Sequence, residues 1–197
     1  MNLKAVKVGL LGLGTVGGGT ARVLLGNAEE ISRRVGCTIQ LAQAAAKAYD
    51  PATIPGIETV PVTDDAFAVV DNPEIDIVVE LIGGYSPARE LVLQAIANGK
   101  HVVTANKALI ALHGTEIFAA ARERGVMVAF EAAVAGGIPI IKAVREGLAA
   151  NRIEWLAGII NGTGNFILTE MRDKGRAFDD VLAEAQDLLV GEVVDIG

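Results

Sequence analysis

Two short stretches bring together residue types that could bind or react. The first, Gly12-Leu13-Gly14-Thr15-Val16-Gly17-Gly18-Gly19, contains the pattern G-x-G-x-x-G. Gly12 permits a tight turn, Gly14 lets the backbone approach a pyrophosphate, and Gly17 lets a helix pack closely on the strand before it. A helix starting there aims free N–H groups at an anion, which makes the stretch a candidate dinucleotide site. The plain alternative is a tight turn and nothing more. The second stretch, "VVTANKALI" at 102–110, sets Asn106 and Lys107 after an apolar run with no negative charge nearby. A lysine just past a buried strand stands where open α/β sheets bind ligands. Its alternative is an exposed lysine at a helix start, a position that mildly disfavours cations.

Three clusters follow strand-like runs: Leu81-Ile82-Gly83-Gly84, Thr104-Ala105-Asn106-Lys107 and Asn161-Gly162-Thr163-Gly164-Asn165. Singly they read as a loop, a helix start and a turn with Asn165 as N-cap. Together they put small and polar residues at one sheet edge, the crevice where a dinucleotide and its substrate would meet. NAD sites usually carry an Asp or Glu at the end of the second strand to accept from the ribose 2′-hydroxyl. Here that strand ends "AAAKAYD", so Lys47 and Ala48 occupy the region and Asp50 comes late. A cation there attracts a 2′-phosphate and favours NADP over NAD; a solvated loop lysine is the alternative.

The pattern of elements must put these residues in place. Strands are expected at 6–11, 38–46, 76–82, 101–104 and 126–130. Helices are expected at 15–25, 27–35, 87–97 and 116–124, with a short one from Asp64 or Asp65 to residue 70. Residues 49–62, with three prolines, read as a loop with a short strand. Connections this short demand crossover helices, so the fold class is α/β, a Rossmann-type doubly wound parallel sheet. The alternation weakens after "EAAVAGGIP". A boundary is therefore placed at 131, with 1–131 a dinucleotide-binding domain and 132–197 the start of a second, α+β unit. In that second part 139–149, 166–174 and 178–188 read as helical and 153–160 as strand-like.

Composition agrees. Hydrophobic residues make up 51% and aromatics 4%, the palette of a helix-covered parallel sheet. A net charge of −7 without a basic cluster argues against nucleic acid. One cysteine, Cys37, and two histidines make a disulfide or zinc site a poor expectation. No apolar run reaches membrane-spanning length, and the expected location is the cytoplasm.

The motifs "GLGTVGGG", "VVELIGG", "VVTANKALIA", "EAAVAGGIPII" and "GIINGTGNFILTEM" stand in the order and spacing of the homoserine dehydrogenase family, which the chain resembles to about Gln186. The resemblance implies an NAD(P)-dependent oxidoreductase. Its substrates would be L-homoserine and L-aspartate 4-semialdehyde, interconverted in threonine, methionine and isoleucine biosynthesis by a protein that is a homodimer at full length. It further implies that 132–197 is the beginning of the family's catalytic and dimerisation domain, that Leu13, Thr15 and Val16 meet the cofactor, that Lys47 is the basic residue near the ribose, and that Lys107 lies beside nicotinamide and substrate as a catalytic lysine. A monovalent cation, usually sodium, is implied at Glu131, Val134, Gly136 and Ile138; carbonyl oxygens in a glycine-containing bend suit a hard cation. Without the resemblance, this stretch is an interdomain loop and Glu131 a capping or salt-bridged residue.

The ending departs from the family. "DLLVGEVVDIG" puts Glu192 in register with a substrate-binding glutamate, but Leu189 stands where the family has glycine and Val194 where it has aspartate. A chance match at Glu192 is the alternative. The expectation is a C-terminally truncated family member. Its alternatives are a non-catalytic dinucleotide-binding module or remnant, and another semialdehyde or sugar dehydrogenase sharing the glycine loop.

Overall fold

The computed structural model describes residues 5–158 and 162–189. The chain divides into two compact units, Met1–Leu148 and Ala149–Gly197. In the first, apolar β-branched runs form β1 (Val6–Leu11), β2 (Ile39–Ala45), β3 (Val62–Thr63), β4 (Ile77–Glu80), β5 (His101–Thr104) and β6 (Val128–Ala129). They make one sheet in the order β3-β2-β1-β4-β5-β6, with every pairing parallel. Strands covered on both faces need continuous apolar sequence. The order reverses direction between β1 and β4, the switch point at which such sheets bind ligands.

The connecting helices are α1 (Thr15–Gly26), α2 (Ala28–Val35), α3 (Ala66–Val70), α4 (Ala88–Ala97) and α5 (Lys107–Arg124). One face of the sheet buries Val78 and Val102 under Val69, Leu91, Ile96 and Ile117. The other buries Val8, Leu10 and Leu41 with Ala21, Ile54 and Ile57. Gly9 is required by the first layer, because a Cβ there would lie 2.6 Å from Val69 Cγ1. The α3 helix is capped by Asp65, which accepts from Phe67 N at 2.9 Å.

Several expected boundaries shift. The fifth helix begins at Lys107 rather than 116, because the Asn106 side chain caps it, and Gly114 within it blurs the helical pattern. The fourth strand ends at Glu80, with Leu81 and Ile82 already in the loop. The expected helix at 139–149 is a short turn, α6 (Ile140–Lys142), continuing into a π-helical turn at Ala143–Gly147. The first compact unit thus runs to Leu148, past the change of sequence pattern at 131.

In the second unit α7 (Gly162–Lys174) and α8 (Phe178–Leu189) pack through Ile167, Val181 and Ala185. The α7 helix starts at Gly162, so Asn165 lies inside it and is not its N-cap. The described part of the expected strand at 153–160 is irregular and exposed. A strand needs a partner to satisfy its backbone, and no strand is described in this unit. Among the described residues no helix is long and apolar enough to cross a membrane.

Candidate functional site

The parallel register brings Leu11, Glu80 and Thr104 side by side as the last pairs of β1, β4 and β5, and Ala45 ends β2 beside Leu11. The loops leaving these strands therefore open on one edge of the sheet. That edge carries the glycine loop, Lys47, Gly83-Gly84 and Lys107.

Within the glycine loop the three positions differ. Gly12 has φ +94°, and a Cβ on it would lie 2.7 Å from the Leu81 carbonyl oxygen. A Cβ on Gly17 would lie 1.9 Å from the Gly12 carbonyl oxygen, so both glycines are fixed by close backbone packing. Gly14 is different: a Cβ there would meet nothing within 4 Å. It is the N-cap of α1, and no side-chain hydrogen bond closes that helix start. The first turn thus presents N–H donors beside a position where protein packing does not ask for glycine, which is suited to an anion. Thr15 and Val16 are exposed in this turn, whereas the Leu13 side chain is buried with Ile54 and Ile57. Any contact Leu13 makes with a ligand must come from its backbone.

At the ends of β4 and β5 lies a bonded group built on Glu80, the one member that pattern reading did not single out. Glu80 is fully buried, and both of its carboxylate oxygens accept. One takes Ile82 N at 2.9 Å and Gly83 N at 3.3 Å; the other takes the Thr104 hydroxyl at 2.7 Å. Thr104 Oγ1 in turn accepts from Asn106 N at 3.0 Å. Asn106 caps α5 through Oδ1, accepting from Leu109 N at 3.0 Å, and donates from Nδ2 to the Gly84 carbonyl at 2.7 Å. Lys107 is the exposed first residue of α5, immediately after this cap, and makes no ion pair among the described residues. The available signal was an acidic residue closing an apolar strand, "DIVVE".

Lys47 is exposed just beyond β2. Asp50 is committed locally, its carboxylate accepting from Ala52 N at 3.0 Å to cap a short 3₁₀ turn. Glu131, Val134, Gly136 and Ile138 share one bend, in which Ala135 and Gly137 have φ of 50° and 83°. The Glu131 carboxylate accepts from Ile141 N at 2.9 Å and Lys142 N at 3.0 Å, the capping role open to it from the sequence. Glu192 lies outside the described residues.

This geometry agrees with what the chain is similar to. Residues 12–131 match the family model "Homoserine dehydrogenase, NAD binding domain", and 139–193 match the model "Homoserine dehydrogenase". The homoserine dehydrogenase of Pseudomonas aeruginosa is 72% identical over 186 residues, covering 94% of this chain and 42% of that protein. The crystal structure of a homoserine dehydrogenase from Thiobacillus denitrificans superposes with a TM-score of 0.85 at 69% identity, over 97% of this chain and 44% of that one. A hyperthermophilic archaeal homoserine dehydrogenase in complex with NADPH gives a TM-score of 0.74 at 26% identity, covering 94% and 61%. The chain therefore spans less than half the length of its close relatives. A nucleotide-binding sheet, a glycine loop and a lysine at its carboxyl edge, matched by both models over most of the sequence, establish that the chain belongs to the homoserine dehydrogenase family.

Proposed function

We propose that this chain is the nicotinamide dinucleotide-binding part of a homoserine dehydrogenase, serving the interconversion of L-homoserine and L-aspartate 4-semialdehyde in amino-acid biosynthesis. The observation that carries the reading is Gly14, held at an uncapped helix start with open space where its Cβ would be. In this role Gly12 and Gly17 shape the turn, while the N–H groups of the first turn of α1 receive the pyrophosphate. Thr15, Val16 and the backbone of Leu13 line its path. Lys47 faces the ribose 2′ position and favours NADP, since the acidic residue closest in sequence, Asp50, is engaged in a cap.

The cofactor, when bound, supplies the hydride-accepting ring. Lys107, standing on the α5 N-terminus beside Gly84, holds its ammonium toward the substrate oxygen and polarises it. Glu192 belongs to the substrate side of this proposal. A hard monovalent cation, sodium by resemblance, fits the bend at 131–138 only through backbone carbonyls, because the Glu131 carboxylate is taken up by α6. The domain division at 131 is part of the same proposal, as are a cytoplasmic location and a homodimeric whole protein.

Steady-state assay with L-homoserine and each nicotinamide cofactor, beside calorimetric titration of the same cofactors, tests the reading. The chain is expected to bind NADPH and, since it spans less than half the length of its close relatives, to turn L-homoserine over at least about 100-fold more slowly than a full-length relative, the scale of one acid–base contribution. Binding with no turnover at all selects a non-catalytic module; absence of binding removes the proposal.

A further inference from the structure

Among the described residues Glu80 is the one buried acidic residue, and Glu80, Thr104 and Asn106 are three of the four buried polar or charged ones; the fourth, Lys100, donates to the Asn72 and Ile75 carbonyls. A carboxylate with no exposure is costly unless its oxygens are satisfied. Here its oxygens are satisfied by the loop that leaves β4 and by Thr104, the last residue of β5. The carbonyl of Leu81, next in sequence, is the atom that a Cβ on Gly12 would strike. The residues tied to Glu80 thus adjoin the glycine loop on one side and the start of α5 on the other.

We infer that Glu80 is a positioning residue for the nicotinamide end of the cofactor: it sets the Ile82–Gly84 backbone directly and the Lys107-bearing helix start through Thr104 and Asn106. The inference rests on the dinucleotide reading above. Its chemistry is specific to a carboxylate. A glutamine in place of Glu80 keeps one acceptor for the Ile82 and Gly83 N–H groups but turns the other oxygen into a donor. That donor faces the Thr104 hydroxyl, whose proton must turn away from position 80, so the link from residue 80 to Thr104 reverses direction and loses its charge-assisted strength. The glycine loop and Lys47, which hold the adenosine and pyrophosphate half, are not bonded to the carboxylate and should be unaffected.

The test compares two probes on the whole chain by calorimetry: NADPH, and adenosine 2′,5′-bisphosphate, which lacks the nicotinamide half. In Glu80→Gln, and in Thr104→Val, which breaks the relay while leaving the loop N–H bonds to Glu80, NADPH affinity is expected to fall about tenfold, the worth of one charge-assisted hydrogen bond. Affinity for the bisphosphate is expected to stay within about twofold, and Thr104→Ser, which keeps the hydroxyl, to restore NADPH affinity. Melting curves check that each variant is folded; if Glu80→Gln does not fold, Thr104→Val and Thr104→Ser decide. Unchanged NADPH affinity in folded Thr104→Val overturns the inference, as does an equal loss of both probes. Failure of the unmodified chain to bind either probe overturns the dinucleotide reading itself and this inference with it.

Discussion

At the scale of single residues, the three glycines of the loop separate binding from folding. Gly14→Val introduces a side chain into space that no protein atom approaches, at a backbone conformation of φ −70° and ψ −160° that any residue adopts. The variant is expected to melt near the unmodified protein and to lose NADPH binding in calorimetry. Gly17→Val places its Cβ against the Gly12 carbonyl and is expected to lower the melting temperature sharply, since nothing but backbone is available to move. Equal melting losses in the two variants would contradict this division. Lys47 gives a second prediction: NADP binds more tightly than NAD, and the gap narrows in Lys47→Ala and as salt rises, because an exposed phosphate contact is screened. Equal affinities in the unmodified chain would remove its basis. Both proposals start from signals that are local in the sequence, glycine spacing and the lack of an acid after the second strand. Glu80 was not, because its role follows from parallel register with Thr104, a contact between strands that no short stretch encodes.

At the scale of elements, the start of α5 depends on Asn106, which both caps the helix and holds the Gly84 carbonyl. Asn106→Ala is expected to cost about 1–2 kcal/mol in denaturant unfolding, and Asn106→Asp, which keeps the cap but not the Nδ2 donor, should cost less. A cost near zero for the alanine variant would place the helix start under tertiary control alone. The α4 and α5 helices are joined by a bidentate pair from Arg89 to Glu116 at 2.9 and 2.6 Å. The Arg89 hydrogen bond holds the Glu116 carboxyl below the ordinary glutamate range. A depressed carboxyl contributes stability that is present above its unfolded pKa and is lost as pH falls through the lower folded value. Glu116→Gln should therefore lower the melting temperature at neutral pH by a small amount, because the pair is exposed, and flatten the acid side below about 4.5 by that same amount, so that the two proteins converge at low pH. An unchanged acid limb would show that the pair carries no linkage. The strands and most helices of the first unit were readable because period and punctuation agree within each segment. The α5 start lies earlier than the pattern predicts because its opening turns carry no clear apolar period, and residues 153–158 form no strand because pattern alone does not supply a neighbouring one.

At the scale of the whole molecule, Ile153, Trp155 and Leu156 are exposed on the second unit, Trp155 at 79%, in a chain that spans 42% of its Pseudomonas aeruginosa relative. Exposed apolar side chains this close in sequence favour association, so sedimentation of the 197-residue chain is expected to show concentration-dependent self-association that Trp155→Ser with Leu156→Ser reduces. A clean monomer at all concentrations would contradict this. The six strands of the parallel sheet, by contrast, all lie within the first unit, and the proposed nicotinamide dinucleotide site stands on their carboxyl edge between β1, β4 and β5. Calorimetric titration of NADPH into the unmodified chain and Gly14→Val tests this most directly. Saturable one-to-one binding to the unmodified chain, abolished in an equally folded Gly14→Val, is the predicted result; no binding by the folded unmodified chain, or the same affinity in both, would contradict it.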